Sequence, residues 1–269
     1  MRPVAIRAWS AHLPGRSGPL PGGWSPGPAC PPERAADLLG RKGLLYKQPA
    51  ERLGLCAVHR ALGLAPVTGR WTPPEPDPRT AVVASSNLGS LETVCAVARA
   101  AGAGSLSEVS PLDAPNVSSN VLASTVAIRF GFGGPNLMVC SGHPAGLDAV
   151  RLAQLLLAAG RADRVVVVGA EPADETAAAL AGQDLRAGAA CVVLEPAAED
   201  SALVLHPVHD HADPESCEPA RPVRLGQFYG AAGVLAVAAA AAANRTARVV
   251  AGSDADGWRC AVVETKGER

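Results

Sequence analysis

The run Val165-Val166-Val167-Val168-Gly169 constrains the fold more than any other feature of the chain. β-Branched residues with no polar alternation make a strand that is buried on both faces, which requires a layer packed on each side of the sheet. Upstream lies a compact unit. Leu137 to Cys140 reads as a strand, Ser141-Gly142-His143-Pro144 as a tight turn, and Ala145 to Ala159 as a helix with Leu147, Leu152, Leu155 and Leu156 on its buried side. Arg161 to Arg164 then turns into the valine strand. Two strands joined through a helix imply a parallel sheet in an α/β architecture.

The remaining elements extend this pattern. Val4 to Trp9 reads as a first strand, and the Pro/Gly-rich stretch Pro14 to Pro32 as a loose surface loop. Glu33 to Leu64 is helical in pattern, with interruptions at Gly43 and Pro49. Arg70 to Pro78 is a proline-rich connector. Ala81 to Ala84 forms a buried-type strand, and helices follow at Leu91 to Ala101 and Asn116 to Arg129. Ala189 to Leu194 adds a strand. The segment Ala197 to Pro222 is polar and acidic, Tyr229 to Ala243 is an alanine-rich helix, and Val249 to Ala251 and Cys260 to Val263 are closing strands around the turn Gly252 to Gly257.

Composition excludes several functions. The chain has 269 residues and a formal net charge of −1, a balance that argues against a surface for nucleic acid or an anionic membrane. Only 3% of residues are aromatic, too few for base-stacking platforms. The most apolar run, Phe228 to Ala243, is mostly alanine and too short to span a bilayer. The 7 cysteines are scattered without a Cys-x-x-Cys pair, so their spacing indicates neither a disulfide framework nor a zinc site. A cytoplasmic location with reduced thiols is expected.

The turn at His143 carries the functional information. A strand running straight into a helix leaves backbone N–H groups and the positive dipole end converging on the turn, which favours an anion or a thiolate. An enzyme using this geometry places Cys or Ser at the apex. Histidine cannot carry a thioester. It either fills a former active site or acts as a base.

These residues show a resemblance. Ala127-Ile128-Arg129-Phe130-Gly131-Phe132-Gly133-Gly134-Pro135, running on through the strand to Gly146-Leu147, resembles the nucleophile region of β-ketoacyl synthases, and His143 falls where that family has its cysteine. Ser110-Pro111-Leu112-Asp113-Ala114-Pro115-Asn116 resembles the family's Ser-Pro-x-x-x-Pro segment. Arg161-Ala162-Asp163, the strand to Glu171, and Ala187 to Glu195 are similar to the strands that complete its first half. The resemblance implies a thiolase-like layered α/β fold with mixed, mostly parallel sheets. One ketosynthase-like domain over 1–269 is expected, with a first half at 1–196, a shortened connector at 197–220 and a strongly truncated second half at 221–269.

The second half departs from the family. Its His-Gly-Thr-Gly-Thr segment is absent. Gly226 to Gly233 is similar to a Gly-His-x-x-Gly-Ala-Ala-Gly helix start, but Gln227 stands at the histidine and Pro222 at an expected lysine. Gly252-Ser253-Asp254-Ala255 replaces an oxyanion-side Gly-Phe-Gly-Gly turn. With the Cys-His-His set gone, independent condensation is not expected. The resemblance then implies a chain length factor, the silent subunit of a type II polyketide ketosynthase, shortened as in aryl-polyene and highly reducing systems. Its partners would be an active ketosynthase and, through it, an acyl carrier protein. No cofactor, metal, nucleic acid or membrane is expected. Leu112, Asp113, Pro115 and Asn116 would lie at the tunnel end and dimer interface; Asp113 either ends an apolar tunnel or faces solvent or a partner's base. The alternative is a stand-alone acyltransferase or malonyl decarboxylase that uses His143.

Two smaller signals remain. His206, His209 and His211 with Asp210 and Asp213 match no tight zinc spacing and are expected to be a loop. Cys140 is expected to be a buried small hydrophobe.

Overall fold

The computed structural model describes residues 2–20, 23–105, 107, 109–181, 184–213 and 225–266. Its nine strands form one continuous sheet, the first arm of which has the order β3-β2-β4-β5-β1, formed by β1 (Val4–His12), β2 (Thr80–Ser85), β3 (Asn136–Val139), β4 (Arg164–Glu171) and β5 (Gly188–Pro196). The valine strand, β4, lies at its centre. Val166 and Val168 face α2 (Pro49–Ala61) and α4 (Val121–Phe130). Val165 and Val167 face α5 (Ala145–Ala158) and α7 (Ala232–Ala242). All four valines are fully buried, as an unbroken apolar strand demands.

A second group of strands covers the far side of α5 and α7. The hairpin β8 (Ala247–Ser253) and β9 (Gly257–Thr265) turns Val249, Ala251, Ala261 and Val263 toward these helices. The two arms of the sheet thus enclose α5 and α7 between them. Helix α7 sits between the two strand layers and is buried along nearly its whole length. That explains a helix apolar all round and built from alanine. Gly146 and Gly233 let α5 and α7 touch: a Cβ on Gly146 would meet the Val234 nitrogen at 2.7 Å.

The thiolase-like mixed sheet is present, with a different balance of directions from the one expected. β1, β2, β3 and β4 run one way and β5 runs against them, so the parallel pairings between the described strands are β2–β3 and β2–β4. The connection from β4 to β5, through α6 (Glu175–Ala181), inserts β5 antiparallel between β4 and β1. β6 (Leu203–Leu205) pairs with β1 on one side and with β9 on the other, and β7 (His209–His211) continues along β9. Both short strands fall in the segment read as a polar connector. Pro222 lies outside the described residues.

Other differences have local causes. Pro115 lies in a 3-10 turn, Pro111–Val117, capped where Ser110 Oγ accepts the Leu112 N–H, so α4 begins at Val121 rather than at Asn116. Tyr229, at φ 38° and ψ −116°, breaks the run before α7. The buried stripe of α5 is Leu147, Val150, Ala153, Gln154 and Leu157, whereas Leu155 is exposed. Gln154 tolerates burial because it donates to the His206 carbonyl and accepts the Val208 N–H. The Pro/Gly-rich loop is anchored in its described part, since Leu20 is buried and Trp24 packs on the core.

Candidate functional site at the His143 elbow

His143 sits at the apex between β3 and α5, where the sequence placed it. Gly142 has φ 76°. The Asn87 side chain clamps this residue: its Nδ2 donates to the Gly142 carbonyl at 2.8 Å and its Oδ1 accepts the Gly142 N–H at 3.0 Å. Asn87 is held in turn by Glu171. One oxygen of that buried carboxyl accepts the N–H groups of Asn87 (2.6 Å) and Gly230 (3.1 Å); the other accepts the Leu88 N–H (3.1 Å) and Ser86 Oγ (3.0 Å). Burial nevertheless pushes the Glu171 carboxyl up to about 7, against these four donors. Glu171 thereby ties β4, the β2–α3 turn (α3, Leu91–Gly102) and the start of α7 to the elbow.

The apex itself is occupied from the β8–β9 turn. Asp256 Oδ2 accepts the His143 backbone N–H at 3.0 Å and the His143 Nδ1–H at 2.9 Å, and Ser253 Oγ also donates to it at 3.0 Å. These bonds, those from His143 first, hold the Asp256 carboxyl below the usual carboxylate range. The carboxylate fits only because residue 142 is glycine: a Cβ there would meet Asp256 Oδ2 at 2.5 Å. An amide N–H at a helix N-terminus is the donor that acyl-transfer chemistry aims at an oxyanion. Here it already holds an internal anion. On its other side the His143 ring meets Tyr229 edge-on, with centroids 4.6 Å apart. Partial burial, with Asp256 and Glu171 nearby, raises the Tyr229 phenol above its ordinary value. The cleft beside His143, lined by Leu225, Ala232, Val250 and Trp258, holds about 200 Å³, below the size that usually encloses a substrate.

The other sequence-predicted residues are dispersed. Gln227 is exposed, and its backbone carbonyl accepts the Arg186 N–H; Tyr229, from the same turn, is what meets His143. Leu112 and Pro115 are exposed and Asp113 is half-buried, whereas Asn116 is buried and donates to the Tyr46 carbonyl at 2.7 Å. Cys140, expected to be buried, is exposed where β3 ends at the sheet edge. Among the described residues the histidine-rich segment assembles no metal-ligating group. His206 Nε2 bonds to Glu264 at 2.7 Å, Asp210 pairs with Arg151 and Arg259, and β7 alternates His209 and His211 with Asp210 across its two faces. Sequence reading singled out the β8–β9 turn but missed Asp256. The signal was an acidic residue directly after the segment that replaces a glycine-rich turn.

A layered α/β chain with a strand–elbow–helix apex, buttressed from the end of a central strand, is the thiolase-like fold class. Residues 40–198 match the family model of the β-ketoacyl synthase N-terminal domain, and the chain belongs to that family. No curated protein gives a significant match. Among solved structures, the chain is similar to the ishigamide ketosynthase/chain length factor, with TM-score 0.73 and 21% identity over 99% of this chain and 100% of that one. It is also similar to a chain of the structure described as a ketosynthase (ApeO) in complex with its chain length factor (ApeC) from Xenorhabdus doucetiae, with TM-score 0.61 and 15% identity over 99% and 100%. A third is the AntDE:AntF structure, a type II polyketide synthase acyl carrier protein with its ketosynthase bound to the hexaketide. There the TM-score is 0.66 and the identity 13% over 98% and 99%. Among the described residues no helix is long and apolar enough to cross a membrane.

Proposed function

We propose that this chain is a catalytically silent chain length factor, a single ketosynthase-like domain with a reduced second half that pairs in the cytoplasm with an active β-ketoacyl synthase. It stabilises that partner and closes its acyl tunnel, setting polyketide or polyene chain length. The observation that carries this reading is Asp256, whose carboxylate takes up the His143 N–H that a thioester oxyanion would need. A nucleophile is missing at the apex and the oxyanion donor is satisfied internally, so condensation must be done by the partner, on groups delivered by an acyl carrier protein.

The surface supports pairing. β3 is an edge strand. Leu45, Tyr46, Leu112 and Val117 are exposed, with the Tyr46 loop tied to the 111–117 turn through Asn116. In this reading Leu112, Asp113, Pro115 and Asn116 form the tunnel end and interface, with Asn116 shaping the segment from below.

One observation favours a second reading. An imidazole oriented by a carboxylate through Nδ1 is also the arrangement of a general base, so the chain could hydrolyse or decarboxylate acyl thioesters alone. A tagged pull-down from the native host, with mass spectrometry and native mass, separates the two. A stoichiometric ketosynthase bearing its cysteine supports the silent subunit. A monomer or homodimer that turns over malonyl or acyl thioesters, and stops when His143→Ala is made, supports the second.

A further inference from the structure

Far from the elbow, the fold assembles a cluster that the spacing of the cysteines did not announce. His12 ends β1, Cys56 lies in α2, and Cys30 comes from the Pro/Gly-rich loop. One donor atom from each lies within 4.8 Å of the others. His12 and Cys56 are fully buried and Cys30 is half-buried.

We propose that His12, Cys30 and Cys56 form a binding site for one soft, thiophilic metal ion, Cu⁺ or Zn²⁺, that clips the loop to β1 and α2. Two thiolates and an imidazole are the donor set such ions prefer. Metal–sulfur and metal–nitrogen bonds of roughly 2.3 and 2.0 Å, spread at trigonal to tetrahedral angles, put neighbouring donor atoms about 3.5–4 Å apart. Cys30 Sγ and His12 Nε2 are already 3.7 Å apart.

Nε2, the nitrogen that faces the Cys30 thiol, also meets the Cys30 carbonyl at 2.9 Å, so a bound ion would take the place of that hydrogen bond. A further observation is the holding of Cys30. Arg60, one turn beyond Cys56 on α2, donates to the Gly27 and Pro28 carbonyls and so fixes the loop just before the thiol. As the ion enters, each thiol releases its proton to solvent and no electrons are transferred.

The test is titration of the reduced, metal-free chain with Zn²⁺ and, separately under anaerobic conditions, with Cu⁺. Cobalt(II) serves as a spectroscopic probe, and circular dichroism confirms that each variant is folded. The expected result is one ion per chain for Zn²⁺ or Cu⁺, a thiolate-to-cobalt charge-transfer band, two thiols protected from a thiol reagent, and a raised melting temperature. Cys30→Ser, at a half-buried loop position, should weaken binding by about 100-fold or more, and Cys30→Ala should do the same. The double variant Cys95→Ser, Cys140→Ser should bind as the parent does. The proposal is overturned if neither ion binds stoichiometrically, if folded Cys30→Ser binds as well as the parent, or if Cys30 and Cys56 are recovered as a disulfide that excludes metal.

Discussion

Replacing Glu171 by glutamine should change how stability depends on pH, and the change can be worked out from two buried groups. Burial raises the Glu171 carboxyl from 4.5 to about 7. The folded state then holds a proton that the unfolded state has released, so stability falls as pH rises from 4.5 through 7, by about 3 kcal/mol. His12 acts in the opposite sense. Burial, against a hydrogen bond to Cys30 and with help from Arg60, lowers it from 6.5 to about 4, so its contribution is complete above 6.5 and is lost, again by about 3 kcal/mol, as pH falls through 4. In the parent the two slopes oppose each other between 4.5 and 6.5 and nearly cancel.

Glu171→Gln removes one slope. At pH 4.5 the variant resembles the protonated acid but presents an amide to the Leu88 N–H, which loses its acceptor at a cost of about 1–3 kcal/mol. From there to pH 7 the variant should gain about 3 kcal/mol relative to the parent. Urea denaturation of parent and variant, followed by tryptophan fluorescence at fixed protein concentration from pH 4.5 to 7.5, reads the difference directly, since groups common to both drop out. A difference that stays constant across the range would refute the reasoning, because it would mean that Glu171 ionises normally under its four donors.

Other expectations concern the elbow and the helix contact. His143→Cys should not create condensing activity in malonyl- and acyl-thioester assays, because the residue 143 N–H stays bonded to Asp256; measurable turnover by that single variant would contradict the plugged-donor argument. Asp256→Ala should lower stability by about 1–2 kcal/mol in denaturation experiments while co-purification with a ketosynthase is retained. Gly233→Ala would place a Cβ 2.5 Å from the Leu147 nitrogen, and Gly146→Ala is similarly tight, so each should destabilise by about 1–3 kcal/mol. Leu112→Trp should shorten the product of a reconstituted pair without dissolving it, as judged by product mass spectrometry beside size-exclusion chromatography.

The first half was legible because its signals are local. An unbroken valine strand, a glycine turn and a helix with a leucine stripe each specify their own conformation, and the structure places β4, the elbow and α5 within a few residues of the expected bounds. Partners set by tertiary geometry were not legible. Nothing near His143 in sequence announces Asp256, and Gln227 occupies the motif position while the turn presents Tyr229 instead. β6 and β7 escaped notice because strands of three residues, whose pairing comes from β9, have almost no periodicity to read. The His12–Cys30–Cys56 cluster shows the same limit, with its members drawn from a strand, a loop and a helix.

The placement of β1 carries a consequence for how the protein is made. β1 leaves the ribosome before the other strands of its sheet, yet its neighbours are β5 and β6, and β6 is completed by β9, the last strand in the order. Loop closure on that scale is slow, and a nascent chain must keep an apolar strand unpaired until β5 has emerged. Production of this protein should therefore depend on chaperone capacity and elongation rate, and chains stalled before residue 188 should be the ones cleared by proteolysis.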